Sequence, residues 1–158
     1  MKTLYVMRPV TNAEEIIAWA KKNNFINITK PSDLHVTVAY SKKKVEWNIL
    51  SKPKDRISVF TKDNRVIKVL GESATVLSFK SKSLQDRWQY FIDNGCSWNY
   101  DSYTPHMTIS YVKQYNKNVR SYIGDIFLGQ EVWDIVDDEW EKKNERPSRN
   151  AKQTERNI

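Results

Sequence analysis

Two residues in this chain have the chemistry for proton transfer near neutrality, and they are its only histidines, His35 and His106. Each opens the same pattern, His35-Val36-Thr37-Val38 and His106-Met107-Thr108-Ile109. On a strand, residues two apart share a face, so each imidazole stands beside its own threonine hydroxyl while Val36 or Met107 turns to the opposite side. An unperturbed imidazole pKa of about 6.5 lets the neutral and protonated forms coexist, one to take a proton and one to give it. That set suits a phosphodiester. One histidine removes the proton of a ribose hydroxyl, the other protonates the departing oxygen, and the Thr37 and Thr108 hydroxyls donate to the non-bridging oxygens as charge builds there.

A single His-x-Thr on a strand is more often a solvated or hydrogen-bonded structural residue than a catalytic one. Two copies at one repeat offset argue for chemistry. A metal centre is the other use of histidine, but two histidines, one distant cysteine (Cys96) and no acidic cluster beside either motif make a poor ligand set, so neither metal nor cofactor is expected.

The elements that must position these residues also recur. Thr3 to Met7 reads as a strand, and Thr11 with Glu14 forms a capping-box pattern opening a helix to about Asn24, with Ile16, Ile17, Trp19 and Ala20 on its apolar stripe. Leu34 to Tyr40 then alternates, with Leu34, Val36, Val38 and Tyr40 on one face and His35, Thr37 and Ala39 on the other. Thr75 to Phe79, a helix after Ser83 carrying Leu84, Trp88, Phe91 and Ile92 and ending at Gly95, and His106 to Tyr111 repeat that order. The strand and cap offsets are both 72 positions and the histidine offset is 71. Such regularity predicts a duplicated strand, helix, His-strand unit. The predicted fold is α+β, two pseudo-symmetric lobes of antiparallel sheet with flanking helices, their His-x-Thr strands facing a central groove. Between the copies, Val45 to Leu70 predicts short strands joined by hairpins and offers no residue of catalytic type. Glu131 to Val136 alternates as a last strand.

Composition sets the boundaries. At 158 residues, with 39% apolar and 12% aromatic content, one domain over 1–141 closes a single core, and 142–158 reads as a polar, basic, flexible tail. That tail holds six basic and two acidic residues, four of the seven net positive charges. The remaining weak positive charge suits a small anionic nucleotide better than a duplex DNA track. Lys42, Lys43 and Lys44 can attract phosphate, but a solvated lysine run is the preferred reading. One cysteine excludes an internal disulfide, and no apolar run has the length of a membrane span or signal core, so a cytoplasmic protein without a membrane partner is expected.

The paired motifs in duplicated lobes resemble the two-histidine (2H) phosphoesterases, over about residues 1 to 140. Within that superfamily, Leu34-His35-Val36-Thr37-Val38-Ala39-Tyr40, Tyr103-Thr104-Pro105-His106-Met107-Thr108-Ile109 and the Val132-Trp133-Asp134-Ile135 ending look most like the phage anti-CBASS nucleases, which destroy cyclic di- and trinucleotide alarm signals of bacterial defence. The resemblance implies that His35, Thr37, His106 and Thr108 are catalytic. It also implies base-stacking aromatics near both ends, where Tyr5 and Trp140 are the matching positions; a core ring at Tyr5 and a surface ring at Trp140 are the competing readings. Asp134 or Glu139 can accept from a base amine.

Three functions follow as expectations. The first is a metal-independent phosphodiesterase opening the 3′-5′ bonds of a small cyclic oligonucleotide by ribose 2′-hydroxyl attack, in evasion of CBASS. The second keeps the chemistry on RNA 2′,3′-cyclic ends or 2′,5′-oligoadenylate. The third is a non-catalytic nucleotide sponge, against which two intact His-x-Thr motifs argue, because sequestration needs no matched acid and base.

Overall fold

The computed structural model describes residues 1–114 and 118–137. The expected tail at 142–158 lies outside them. Eight strands and two helices run in the order β1 (Lys2–Pro9), α1 (Ala13–Lys22), β2 (His35–Val45), β3 (Ile57–Val59), β4 (Val66–Leu70), β5 (Ala74–Ser78), α2 (Lys82–Asp93), β6 (His106–Ser110), β7 (Ile126–Leu128) and β8 (Val132–Asp134). They form two three-stranded antiparallel sheets, ordered β2-β1-β8 and β4-β5-β6, with β3 paired to β7. This is the expected α+β class with two related lobes.

The duplication is visible bond by bond. Val10 N–H donates to the Leu34 carbonyl and Phe79 N–H to the Pro105 carbonyl, each at 3.0 Å, tying the end of the first strand of each unit to the residue before its histidine. Both helices end alike: Phe25 N–H reaches Ala20 and Cys96 N–H reaches Phe91, after Asn24 and Gly95 turn the chain at φ 62° and 99°. That left-handed turn is where asparagine and glycine are tolerated best.

Their beginnings differ from expectation. The α2 cap is Ser81, whose Oγ accepts from Leu84 N–H at 3.2 Å, two residues before the predicted Ser83. The Thr11 and Glu14 box does not form. Thr11 Oγ1 donates to the Phe127 carbonyl instead, and the α1 cap position falls on Asn12, whose Oδ1 accepts from Phe127 N–H. Pairing of this corner to β7 outcompetes the local cap. Ile16, Ile17 and Ala20 are buried as predicted, with Trp19 half-buried at the margin of the core.

The middle segment is also corrected. Of its strands, β4 makes a hairpin with β5, but β3 pairs with the distant β7, an element not predicted because three residues carry too little periodicity. The last strand covers only Val132–Asp134, since Glu131 turns inward. Its carboxylate lies against Arg87, which donates from Nη2 at 3.0 Å, and 3.6 Å from Arg8, itself 1% exposed. Trp133 Nε1 also donates to it, so β1, α2 and β8 meet at one buried charge cluster. Removing one partner of a buried pair leaves the other charge desolvated, which costs about 3–5 kcal/mol. Glu131→Ala is therefore expected to lower the melting temperature by on the order of 10 °C. A shift under about 2 °C by differential scanning calorimetry would mean that the cluster contributes little net stability.

Candidate active site

The two histidines begin β2 and β6 and are held in the same way. His35 follows the short 3₁₀ turn at Pro31–Asp33 and its Nδ1 lies 2.8 Å from the Asp33 carbonyl; His106 follows Pro105 and its Nδ1 lies 2.7 Å from the Thr104 carbonyl. A carbonyl only accepts, so each Nδ1 carries the hydrogen and each Nε2 is left as the working nitrogen. The Nε2 of His106 is buried and has no hydrogen-bond partner among the described residues.

Register explains how the side chains share a groove. Pro9 pairs with His35 and Met7 with Thr37; Ser78 pairs with His106 and Val76 with Thr108. Partners across an antiparallel ladder point to one face, so each imidazole and its threonine lie on the same side of its sheet, as predicted. Just beyond each threonine the register slips, between Val6 and Met7 in one lobe and between Thr75 and Val76 in the other, where an extra residue sits in each His strand. These matched bulges bend the strand next to the motif. They also overturn part of the expected alternation: Ala39 pairs with Val6 on the core side, and Tyr40 pairs with Tyr5 on the groove side, its ring edge-on to Tyr5 at 5.9 Å.

Each motif is braced by the opposite lobe. Tyr103 Oη donates to the Thr37 carbonyl at 2.7 Å, and Thr29 Oγ1 donates to the Thr108 carbonyl at 2.7 Å. Tyr103 is stacked on Trp88 at 5.7 Å, and burial raises its pKa, so it stays a donor. Thr37 and Thr108 are 2% and 6% exposed, a dry setting in which a hydroxyl's dipole counts for more than it does in water.

Burial also lowers both imidazole pKa values. For His106 it is the largest cause, opposed by the Thr104 carbonyl and reinforced by the positive charges of Lys68 and His35, and the value falls to about 4. For His35 the direction is the same, with the Asp33 carbonyl and carboxylate opposing it. The strands that begin with the two histidines, β2 and β6, lie against each other, and both imidazoles favour the neutral form when no anion is bound.

Of the proposed base-holding residues, Tyr5 is half-buried on the groove side of β1 with its hydroxyl 3.3 Å from Thr37 Oγ1, and burial pushes its pKa up to about 12. It is therefore a neutral phenol beside the motif. Asp134 pairs with Tyr5 on exposed edge strand β8, and its Oδ1 accepts from Ile135 N–H at 2.8 Å. Trp140 and Glu139 lie outside the described residues. Lys42, Lys43 and Lys44 are exposed at the far end of β2.

The sequence missed a cleft of about 200 Å³ beside His106, lined by Lys68, Val76, Trp98, Tyr100 and Thr104. Lys68 carries no signal in the sequence; it pairs with Val76, which pairs with Thr108, so one row of the sheet carries it to the groove face. Among the described residues no group of three or more His, Cys, Asp or Glu is gathered to hold a metal ion, and no helix is long and apolar enough to cross a membrane.

Solved structures share this fold. A structure titled as a phosphoesterase superposes with a TM-score of 0.55 at 11% identity, covering 84% of this chain and 87% of its own. E. coli LigT complexed with 3′-AMP gives 0.52 at 11% identity, covering 86% and 95%. At that identity the likeness establishes the fold alone. By sequence, anti-CBASS protein Acb1 of Sphingomonas paeninsulae is 38% identical over 148 residues and that of Caulobacter sp. (strain RHG1) 35% over 146, each match covering 88% of this chain. The chain spans about a quarter of the length of these curated relatives, 24% and 23%. The family model described as anti-CBASS protein Acb1 matches residues 2–143, and the chain belongs to that family.

Proposed function

We propose that this chain is a metal-independent phosphodiesterase that opens cyclic di- or trinucleotide second messengers and so blunts CBASS defence. The observation that carries the reading is the pair of His-x-Thr motifs, each imidazole fixed through Nδ1 to a carbonyl two residues before it and each Nε2 left for chemistry. Membership of the anti-CBASS family supports the substrate class, and a LigT structure holding 3′-AMP supports a nucleotide on this fold.

In the first step a neutral Nε2 takes the proton of the ribose 2′-hydroxyl, the O2′–P bond forms, and the P–O5′ bond breaks as the other imidazolium protonates O5′. The ring opens to a linear molecule with a 5′-hydroxyl and a 2′,3′-cyclic phosphate. Water then attacks that phosphorus with the histidine roles reversed, O2′ leaves with a proton, and a 3′-phosphate remains. Thr37 and Thr108 donate to the phosphoryl oxygens during both steps. Tyr5 offers a face to a base, with Asp134 beside it; Trp140 and Glu139 are proposed as further base contacts.

Incubation with a cyclic dinucleotide, RNA bearing a 2′,3′-cyclic end and 2′,5′-oligoadenylate, read by chromatography, tests the reading. The cyclic dinucleotide is expected to be consumed fastest. Preferential loss of either linear substrate would move the function to RNA ends or oligoadenylate, and binding without turnover would make the chain a sponge.

The lowered pKa values give a pH prediction. The reacting free enzyme has one imidazole neutral and one protonated, and that form is most abundant between the two apparent values of the pair. With His106 at about 4 and His35 displaced in the same direction, kcat/KM is expected to peak below pH 6.5. Bound phosphates favour the imidazolium, so the kcat profile is expected to lie at higher pH. Paired pH profiles check this, and a kcat/KM maximum above pH 7 would contradict it.

A further inference from the structure

Resting on the acid-base reading of the two histidines, we propose that Tyr103 and Thr29 are positioning residues, which set the separation of the two imidazoles by fastening each His strand to the other lobe. The segment that follows α1 crosses to β6. There Tyr111 N–H donates to the Asn27 carbonyl at 3.1 Å, Ile28 bridges Ser110, and Thr29 N–H donates to the Ile109 carbonyl at 2.9 Å. The segment that follows α2 crosses to β2. There Ser97 N–H donates to Ser41 Oγ at 2.9 Å, Lys43 N–H donates to Ser97 Oγ at 3.1 Å, and the Tyr103 hydroxyl reaches the Thr37 carbonyl. The two units are thus exchanged at their post-helix segments, each holding the His strand of the other.

Where the two segments end decides what they control. Each fastens one motif with a buried hydroxyl and then tethers the histidine of the other. Tyr103 Oη holds the Thr37 carbonyl, and the next carbonyl along the chain, that of Thr104, holds His106 Nδ1. Thr29 Oγ1 holds the Thr108 carbonyl, and Asp33, beyond Pro31, supplies the carbonyl that holds His35 Nδ1. Val38 and Ile109, the residues after the two threonines, are left out of the ladder, so each strand lacks its usual pairing beside the gripped carbonyl. Tyr103 is fixed in place, its ring stacked on Trp88 and edge-on to Trp98, each at 5.7 Å. Thr29 is as deeply buried and spans both carbonyls of its bulge, one with its hydroxyl and one with its amide. A base and an acid that act on one phosphorus must stand on opposite sides of it, so a slip of one lobe against the other disturbs both proton transfers at once. About 1 Å of such misplacement costs on the order of 10²-fold in rate.

Tyr103→Phe keeps the ring against Trp88 and Thr29→Val keeps the branched shape, so each removes one hydroxyl and little else. On a ribose cyclic dinucleotide each is expected to lower kcat by about 10- to 10²-fold, while calorimetric Kd for the 2′-deoxy analogue stays near wild type. Thr29→Ser is expected to restore the rate. Ser110→Ala is the control: Ser110 Oγ donates to the Ile26 carbonyl in the same crossing segment but beyond the motif, and its kcat is expected to match wild type. Because the chain has two histidines, their ring resonances in NMR spectra give a second readout that needs no turnover. Those resonances are expected to move in Tyr103→Phe and Thr29→Val and to stay in place in Ser110→Ala. Wild-type kcat in both hydroxyl variants, or an equal loss in Ser110→Ala, would overturn the positioning role and leave the proposed reaction standing. If wild type leaves the cyclic dinucleotide intact, the proposed reaction fails instead. The ring resonances then decide: movement confined to the two hydroxyl variants sustains the positioning role, and its absence there overturns it.

Discussion

His35→Ala and His106→Ala are each expected to lose about 10²- to 10⁴-fold in kcat on a cyclic dinucleotide, the range for removal of a positioned proton-transfer group. The double variant is expected to fall little further than the worse single one, because an acid and a base that act in one transition state are not additive. The fold should survive. Both imidazoles are half-buried on the groove side, and each anchors only to a carbonyl two residues away, whereas the core faces of the same strands are filled by Val36 and Met107 at 0% exposure. Melting curves recorded with the kinetics separate lost chemistry from lost structure. Robust turnover in either variant would remove that residue from the acid-base pair.

A cyclic dinucleotide built on 2′-deoxyribose is expected to bind and resist cleavage. It keeps the charge, the bases and the ring but lacks the attacking oxygen, and an intramolecular nucleophile is worth an effective concentration of about 10⁵–10⁸ M when it is well placed. No side-chain nucleophile on β2 or β6 is assigned to replace it. Activity on the ribose substrate is expected to persist in chelator, since imidazole supplies the base that a metal-bound water would otherwise provide. Cleavage of the deoxy analogue at rates near the ribose rate, or complete loss of activity in chelator, would revive a metal-activated water.

Much of this site is legible in the sequence because it is written twice. His35 and His106 stand 71 positions apart, and the flanking strands and helices repeat with them, so the lobes and their shared groove can be inferred before any coordinates. What escapes is set by long-range pairing. Strict alternation assigns Tyr40 to the core, and only the register slip beside Thr37 turns it to the groove. Thr11 and Glu14 satisfy the local rule for a cap, yet the Phe127 backbone takes the Thr11 hydroxyl. Lys68 is invisible as a site residue because its neighbours in sequence say nothing of Thr108, two strands away. The brace from Tyr103 to the Thr37 carbonyl is a contact between lobes, which no periodicity within one lobe contains.

The most direct test of the central claim is the identity of the first product. A ribose cyclic dinucleotide is mixed with the protein in ¹⁸O-labelled water, quenched at early times and analysed by mass spectrometry. Attack by the 2′-hydroxyl predicts a linear dinucleotide ending in an unlabelled 2′,3′-cyclic phosphate, followed by a 3′-phosphate bearing one ¹⁸O. A first linear product already carrying the label, with no cyclic phosphate before it, would show that water attacks the phosphodiester directly and would contradict the two-histidine ribose mechanism.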